Sequence, residues 1–274
     1  MTLSVNERWC AVMLSALLSV VACGAQPPAG PVEPTGETPK ETGWKAVTVT
    51  GGLMHPWSAV WLPDGRTMLV TEREGRLRVI EDGSLRMDPV AGLPDILAIG
   101  QGGLMDITIH PRFEQNRTVY FTFTSGRRNA NRTALARATI NDDLTRLEKV
   151  EIIFKVSQTK PGGQHFGSRL LWLEDGTMLM SIGDGGNPPI KLDGELIRKN
   201  AQKLSSHLGK TLRLDENGKP PADNPYAGDD DPDTDPYVWS YGHRNIQGMA
   251  THPETGVVWA TEHGALGGDE LNRV

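Results

Sequence analysis

From about residue 57 onward the chain runs in short stretches of alternating apolar and polar residues, each broken by turn residues. SAVWL, a PDGR turn, TMLVTE, an REG break and RLRVIEDG make the clearest copy. A period of two predicts half-buried β-strands, and Asp64-Gly65 predicts a tight hairpin because Gly accepts positive φ at little cost. Later copies are LMDITIHPRFEQNRTVYFTFTSG, SRLLWLEDGTMLMSIGDGG and QGMATHPETGVVWATEHG. Recurring strand-turn-strand units without intervening helices predict an all-β fold of the β-propeller type over residues 44–274, with about four blades visible. A two-sheet sandwich is the competing architecture. Long polar insertions separate the third and fourth copies, so the spacing is irregular. A propeller avoids bare strand edges by closing its ring, whereas these units stop at Leu271-Asn272-Arg273-Val274 as another strand begins. The expectation is an incomplete ring: either a fragment or a short chain that covers its edges by assembly.

The N-terminal pattern is different. Residues 11–22, AVMLSALLSVVA, form one apolar run after a polar start carrying Arg8, too short for a bilayer span and suited to the h-region of a signal peptide over residues 1–22. It ends at Val20-Val21-Ala22-Cys23, which resembles a bacterial lipobox, so Cys23 is the expected lipidation site. Residues 24–43, GAQPPAGPVEPTGETPKETG, hold no Leu, Ile, Phe or Met. They cannot bury enough apolar surface to offset chain entropy, so residues 23–43 are expected to tether the folded body to a membrane through the lipid alone. The chain is expected to be exported and to stand at the periplasmic face of the envelope, as an outer-membrane lipoprotein. Cys10 and Cys23 are the two cysteines, which leaves the body without a disulfide.

Composition narrows the function. With 28 Lys+Arg against 34 Asp+Glu the formal charge is −6, which gives no basis for gripping nucleic acid phosphates. Gly 31 and Pro 19 are turn-rich without reaching the level of low-complexity disorder.

In a propeller, functional groups gather at the ends of the innermost strands. Polar residues interleaved with glycine recur there in Gly100-Gln101-Gly102-Gly103, in 162–169 (GGQHFGSR), in 182–186 (IGDGG), in 241–248 (YGHRNIQG) and in 261–270 (TEHGALGGDE). The glycines are expected to let backbone approach a ligand closely. His165 precedes one strand of a hairpin and Asp184 follows its return strand, which brings both to one edge of the sheet. An Asp holding one imidazole nitrogen leaves the other able to act as a general base. Arg244 on the next unit supplies a fixed cation for an oxyanion or a quinone oxygen. A turn Asp, a surface His and a structural ion pair are the plainer readings of the three taken singly.

GGQHFGSRL, SIGDGG, GHRN-x-QGMA and EHG-xx-GGDELN, in that order, resemble the soluble aldose sugar dehydrogenases, the glucose/sorbosone dehydrogenase family. The likeness runs from about Gly52 to Val274. It implies a six-bladed propeller that uses pyrroloquinoline quinone (PQQ) and calcium to oxidise aldose sugars to lactones, passing electrons to an external acceptor. It further implies His165 as the base that takes the proton of the anomeric hydroxyl while hydride leaves C1 for the quinone, and Asp184 as the group orienting it. Arg244 would bind the quinone oxygens, with Asn245 and Gln101 as further cofactor contacts. Calcium would be held by the backbone carbonyls of Gly264 and Ala265, and Glu270 resembles a ligand of a second, structural calcium.

The pattern departs from the family where Ile246 and Ala265 replace proline and where Leu266 follows the calcium loop. The family's last two blades, with the Lys and Arg residues that grip the cofactor's carboxylates, have no counterpart before Val274. A non-catalytic binding or structural lipoprotein is therefore the alternative, and a calcium-dependent hydrolase with His165 activating water is a third reading. GDDDPDTDP (228–236) lacks the central Gly and terminal Glu of an EF-hand loop and reads as a solvated insertion.

Overall fold

The computed structural model describes Gly43 and residues 47–274; the expected signal segment, Cys23 and most of the tether lie outside the described residues. Four antiparallel sheets follow one another along the chain as propeller blades. The first comprises β1 (Pro56–Trp61), β2 (Thr67–Glu72), β3 (Arg76–Glu81) and β4 (Ser84–Leu85). The second comprises β5 (Leu104–Ile109), β6 (Thr118–Arg127), β7 (Ala130–Ile140) and β8 (Leu147–Lys155), with a one-turn helix α1 (Phe113–Asn116) between β5 and β6. In the third, β9 (Leu170–Trp172) and β10 (Met178–Ile182) are followed by an inserted β11 (Lys191–Leu192), β12 (Glu195–Leu196) hairpin and a 3-10 helix (Ile197–Gln202). The sheet then resumes with β13 (Lys210–Leu214) and β14 (Val238–Tyr241). The fourth comprises β15 (Ile246–Thr251), β16 (Val258–Glu262) and β17 (Glu270–Arg273). The propeller arrangement displaces the sandwich as an explanation of the pattern. Among the described residues no helix is long and apolar enough to cross a membrane.

The core lies between blades. Leu69, Leu77 and Val79 of the first blade pack on Leu104, Phe121 and Phe123 of the second. Tyr120 and Leu135 of the second pack on Leu170, Met180 and Leu212 of the third, and Leu179 of the third meets Ile246, Met249 and Ala260 of the fourth. A blade therefore buries both faces. This is why β2 is buried at all six positions although its sequence, TMLVTE, carries little alternation: Leu69 faces the second blade while Met68 and Val70 face the other side. The hairpin expected at Asp64-Gly65 is present, with Gly65 at φ 68°. The Asp64 carboxylate accepts the Arg66 and Thr67 amides at 3.1 and 2.9 Å, and Asp175 holds the Thr177 amide in the same way at 2.8 Å.

A repeated hydroxyl joins the blades. Thr71 Oγ1 accepts the Ser58 amide (3.0 Å) and donates to the Met105 carbonyl of the second blade (2.6 Å). Thr122 Oγ1 accepts from Asp106 (2.9 Å) and donates to Ser168 O beside β9 (3.0 Å). Ser181 Oγ accepts from Arg169 (2.9 Å) and donates to Ile246 O of the fourth blade (2.9 Å). Each hydroxyl thus satisfies one backbone donor in its own blade and one backbone acceptor in the next. Replacing the fully buried Thr122 with its isostere, Thr122→Val, leaves both groups buried and unpaired, so unfolding should become easier by about 1–3 kcal/mol. Urea denaturation measures this, and a cost below about 0.5 kcal/mol would show that the hydroxyl is not a staple.

Candidate active site

The hydroxyl positions give the blades a common register, and that register explains where the site forms. His165 stands four positions before Arg169, the residue whose amide Ser181 accepts, and Arg244 stands four positions before Gly248, which pairs with Thr261. The two residues are thus repeat equivalents on neighbouring blades and reach the same rim. By the same count Asp184 follows Ser181 by three, as Gly264 follows Thr261.

At that rim His165 Nδ1 meets Asp184 Oδ1 at 2.6 Å, and both residues are buried. A carboxylate only accepts hydrogen bonds, so Nδ1 carries a proton and the basic lone pair of the imidazole falls to Nε2. Among the described residues nothing hydrogen-bonds Nε2. Asp184 is fixed from two further sides: its Oδ1 accepts the Gly186 amide (2.9 Å), and its own amide donates to the carbonyl of Arg244 (2.8 Å). The fourth blade thereby holds the carboxylate of the third.

His165 itself sits at φ 47°, a left-handed conformation that costs about 1–3 kcal/mol outside glycine and persists only where surroundings enforce it. Three contacts do so. Gln101 Oε1 accepts the His165 amide at 2.8 Å, Asn245 Oδ1 accepts the Gly167 amide at 3.0 Å, and Lys160 Nζ donates to the Gln164 carbonyl at 2.7 Å. The first job of Gln101 and Asn245 therefore differs from the cofactor contact that the sequence led us to expect: their carbonyl oxygens are committed to the His165 loop.

Arg244 donates from one terminal nitrogen to the His263 carbonyl (2.8 Å) and from the other to Asn187 Oδ1 (3.1 Å), while Asn187 N donates to Gln164 Oε1 (3.0 Å). Its backbone amide donates to the Glu262 carboxylate, which also accepts from His243 Nδ1 (2.9 Å) and Asn272 (3.1 Å). Burial raises the Glu262 pKa, but these hydrogen bonds outweigh it and hold the carboxyl below its usual range. Lys160 and Asn187 were missed by the sequence reading, which took Gln164 only as one polar residue of the GGQHFGSR stretch. Asn187 had a local signal in its place directly after the glycine pair of GDGG.

The loop after β16 is open. Gly264 N donates to Asp269 Oδ1 at 2.7 Å, and the exposed Glu270 at the start of β17 accepts from Asn272 at 3.0 Å. Among the described residues no three His, Cys, Asp or Glu side chains are gathered as a metal would need, so any cation at this rim would depend on backbone oxygens. Several of the glycines expected to admit a ligand also serve contacts between segments of backbone: a Cβ on Gly183 would overlap the His165 carbonyl, and one on Gly100 would overlap that of Gly163.

A four-blade propeller arrangement with a buried imidazole–carboxylate pair and an arginine at one rim defines a propeller protein whose rim presents an unbonded imidazole nitrogen. The chain belongs to the Glucose / Sorbosone dehydrogenase family, whose profile matches residues 53–274. It is 55% identical over 238 residues to an uncharacterized protein of Synechocystis sp., covering 84% of this chain and 57% of that one. It is 35% identical over 221 residues to aldose sugar dehydrogenase YliI of Escherichia coli, covering 80% and 56%. Among solved structures, the PQQ-bound form of aldose sugar dehydrogenase from Streptomyces coelicolor superposes with a TM-score of 0.68 at 29% identity, covering 83% of this chain and 62% of the other. The chain spans a little over half the length of the curated relatives it matches.

Proposed function

We propose that this chain carries the base-bearing half of a PQQ-dependent dehydrogenase that oxidises aldose sugars to lactones at the anomeric carbon. The observation that carries the reading is the 2.6 Å His165–Asp184 pair with Nε2 free, beside Arg244. PQQ is anionic and planar, and the rim suits it: two of the five guanidinium N–H groups of Arg244 are accounted for by protein oxygens, which leaves donors for an anion. The carbonyls of Gly264 and Ala265 accept no hydrogen bond among the described residues, and such oxygens are the donors a hard cation such as calcium prefers. Glu270 is a carboxylate available to a second calcium. Similarity to relatives named aldose sugar dehydrogenase and to a PQQ-bound structure supports the cofactor and the substrate class.

PQQ, when bound, supplies a two-electron acceptor for hydride. His165 Nε2 takes the proton of the anomeric hydroxyl, and Asp184 stabilises the resulting imidazolium through Nδ1. Arg244 stabilises negative charge at the rim, while Gln101 and Asn245 keep the His165 loop in place and offer their amide N–H groups toward the cofactor. Cys23 would anchor the chain at the periplasmic face, with residues 24–43 as spacer and a separate protein or small molecule receiving the electrons. The test is reduction of an artificial acceptor dye by glucose or arabinose. Turnover should appear only with PQQ and calcium together. Dye reduction that ignores either addition, or none in a chain shown to bind PQQ, would exclude the reading.

A further inference from the structure

Lys160 lies between β8 and β9, and its backbone pairs in both directions with Asn131 of β7 (2.9 and 2.8 Å). Its side chain is buried, with the residue 3% exposed. A buried ammonium needs partners, and here they are the two sequence neighbours of His165. Nζ donates to the carbonyl of Gln164 at 2.7 Å and stands 3.9 Å from the centre of the Phe166 ring. The aliphatic stem passes Gly185, where an added Cβ would lie 3.3 Å from Lys160 Cδ. Gly185 directly follows Asp184 in the chain, so the stem runs beside the carboxylate's own segment. Filling this space does not require a charge, since Met has similar length and volume.

We propose, on the basis of the dehydrogenase reading above, that Lys160 is a positioning residue: its ammonium fixes the Gln164 carbonyl and packs on the Phe166 ring on either side of His165, and its buried charge, set against Gly185 next to Asp184, keeps the imidazole neutral and able to take a proton. A carboxylate alone beside an imidazole favours the imidazolium, and a base already protonated accepts nothing. A buried cation near the pair offsets that pull. Burial lowers the Lys160 pKa to about 8, with Asp184 acting in the opposite direction, so the ammonium is charged at neutral pH and loses its proton above it.

The groups around the pair are few. Arg244 reaches Asp184 through its backbone carbonyl, Asn131 contributes only an uncharged amide on the β7 side, and Ile190 and Ile197 close the glycine side without charge. Among the described residues Lys160 is therefore the buried cation packed against the segments that carry His165 and Asp184. Removing it raises the proton affinity of His165, and the acid limb of kcat/KM moves to higher pH.

The test is the imidazole 15N titration of His165 in the full chain, compared with Lys160→Met and Lys160→Arg and assigned with His165→Asn. In Lys160→Met the proton affinity of His165 should rise about tenfold, whereas Lys160→Arg, which keeps the charge, should stay within about twofold of the parent. In the parent chain the His165 resonances should show a second inflection near pH 8 as Lys160 loses its proton. An unchanged His165 midpoint in Lys160→Met, or equal shifts in the Met and Arg variants, would overturn the proposal. If the Met variant does not fold, the parent titration decides: an inflection supports the proposal and its absence ends it. The titration reads the imidazole and not turnover, so its outcome is separate from whether the chain oxidises sugars.

Discussion

His165→Ala should lower sugar-dependent turnover by about 10²–10⁴-fold, the usual contribution of a positioned general base, while PQQ binding stays largely intact. The His165 imidazole combines a free basic nitrogen with a buried, fixed orientation, because Nδ1 is held by Asp184 at 2.6 Å and the Asp184 amide by the Arg244 carbonyl. The cofactor contacts proposed for Arg244 do not pass through His165. Alanine is uncomfortable at φ 47°, so loss of activity in that variant mixes a missing base with a relaxed loop. His165→Asn separates the two, since asparagine tolerates the left-handed region and has no basic nitrogen. Steady-state dye reduction with saturating PQQ and calcium, alongside PQQ binding, reads both variants. More than a tenth of parental kcat in His165→Asn would remove the general base from the mechanism.

The strands were legible because their periodicity is local: SAVWL and RLRVIE alternate, and Asp64-Gly65 marks its own turn. The His165–Asp184 pairing was legible for a related reason, since one hairpin separates the residues and hairpin geometry brings its open ends together. What could not be read depends on groups distant in sequence. Thr71, Thr122 and Ser181 look like ordinary strand residues, and only the next blade shows that each hydroxyl joins two backbones. Gln101 and Asn245 were identified as rim residues, but their partners, the amides of His165 and Gly167, come from other blades. Lys160 gave no local signal at all: a lysine in a polar segment reads as solvated, and it is buried here by the fold around it. The inserted β11–β12 hairpin and 3-10 helix were likewise hidden in a stretch whose polarity suggested only loop.

Gly183→Ala should leave the chain folded and cut kcat by about 10²-fold, the scale of a misplacement near 1 Å in a catalytic group. Gly183 is not needed for an unusual φ; it is needed because a Cβ there would overlap the His165 carbonyl and come 3.0 Å from Asn245 Oδ1. Neither neighbour can yield cheaply, since His165 is held at its amide by Gln101 and Asn245 holds the Gly167 amide. The added methyl therefore displaces the loop that carries His165, at a stability cost of about 1–3 kcal/mol typical of overpacking. Gly176→Ala is the matched control. That glycine turns a distal hairpin at φ 81° with nothing within 4 Å of an added Cβ, so alanine strains the backbone by about 1 kcal/mol and leaves the rim untouched. Urea midpoints and kcat measured together distinguish the outcomes: a kcat loss specific to Gly183→Ala means that blade packing sets the position of His165. Equal kcat in the two variants would mean that the loop relaxes around the methyl and that its placement by Gly183 does not limit the reaction.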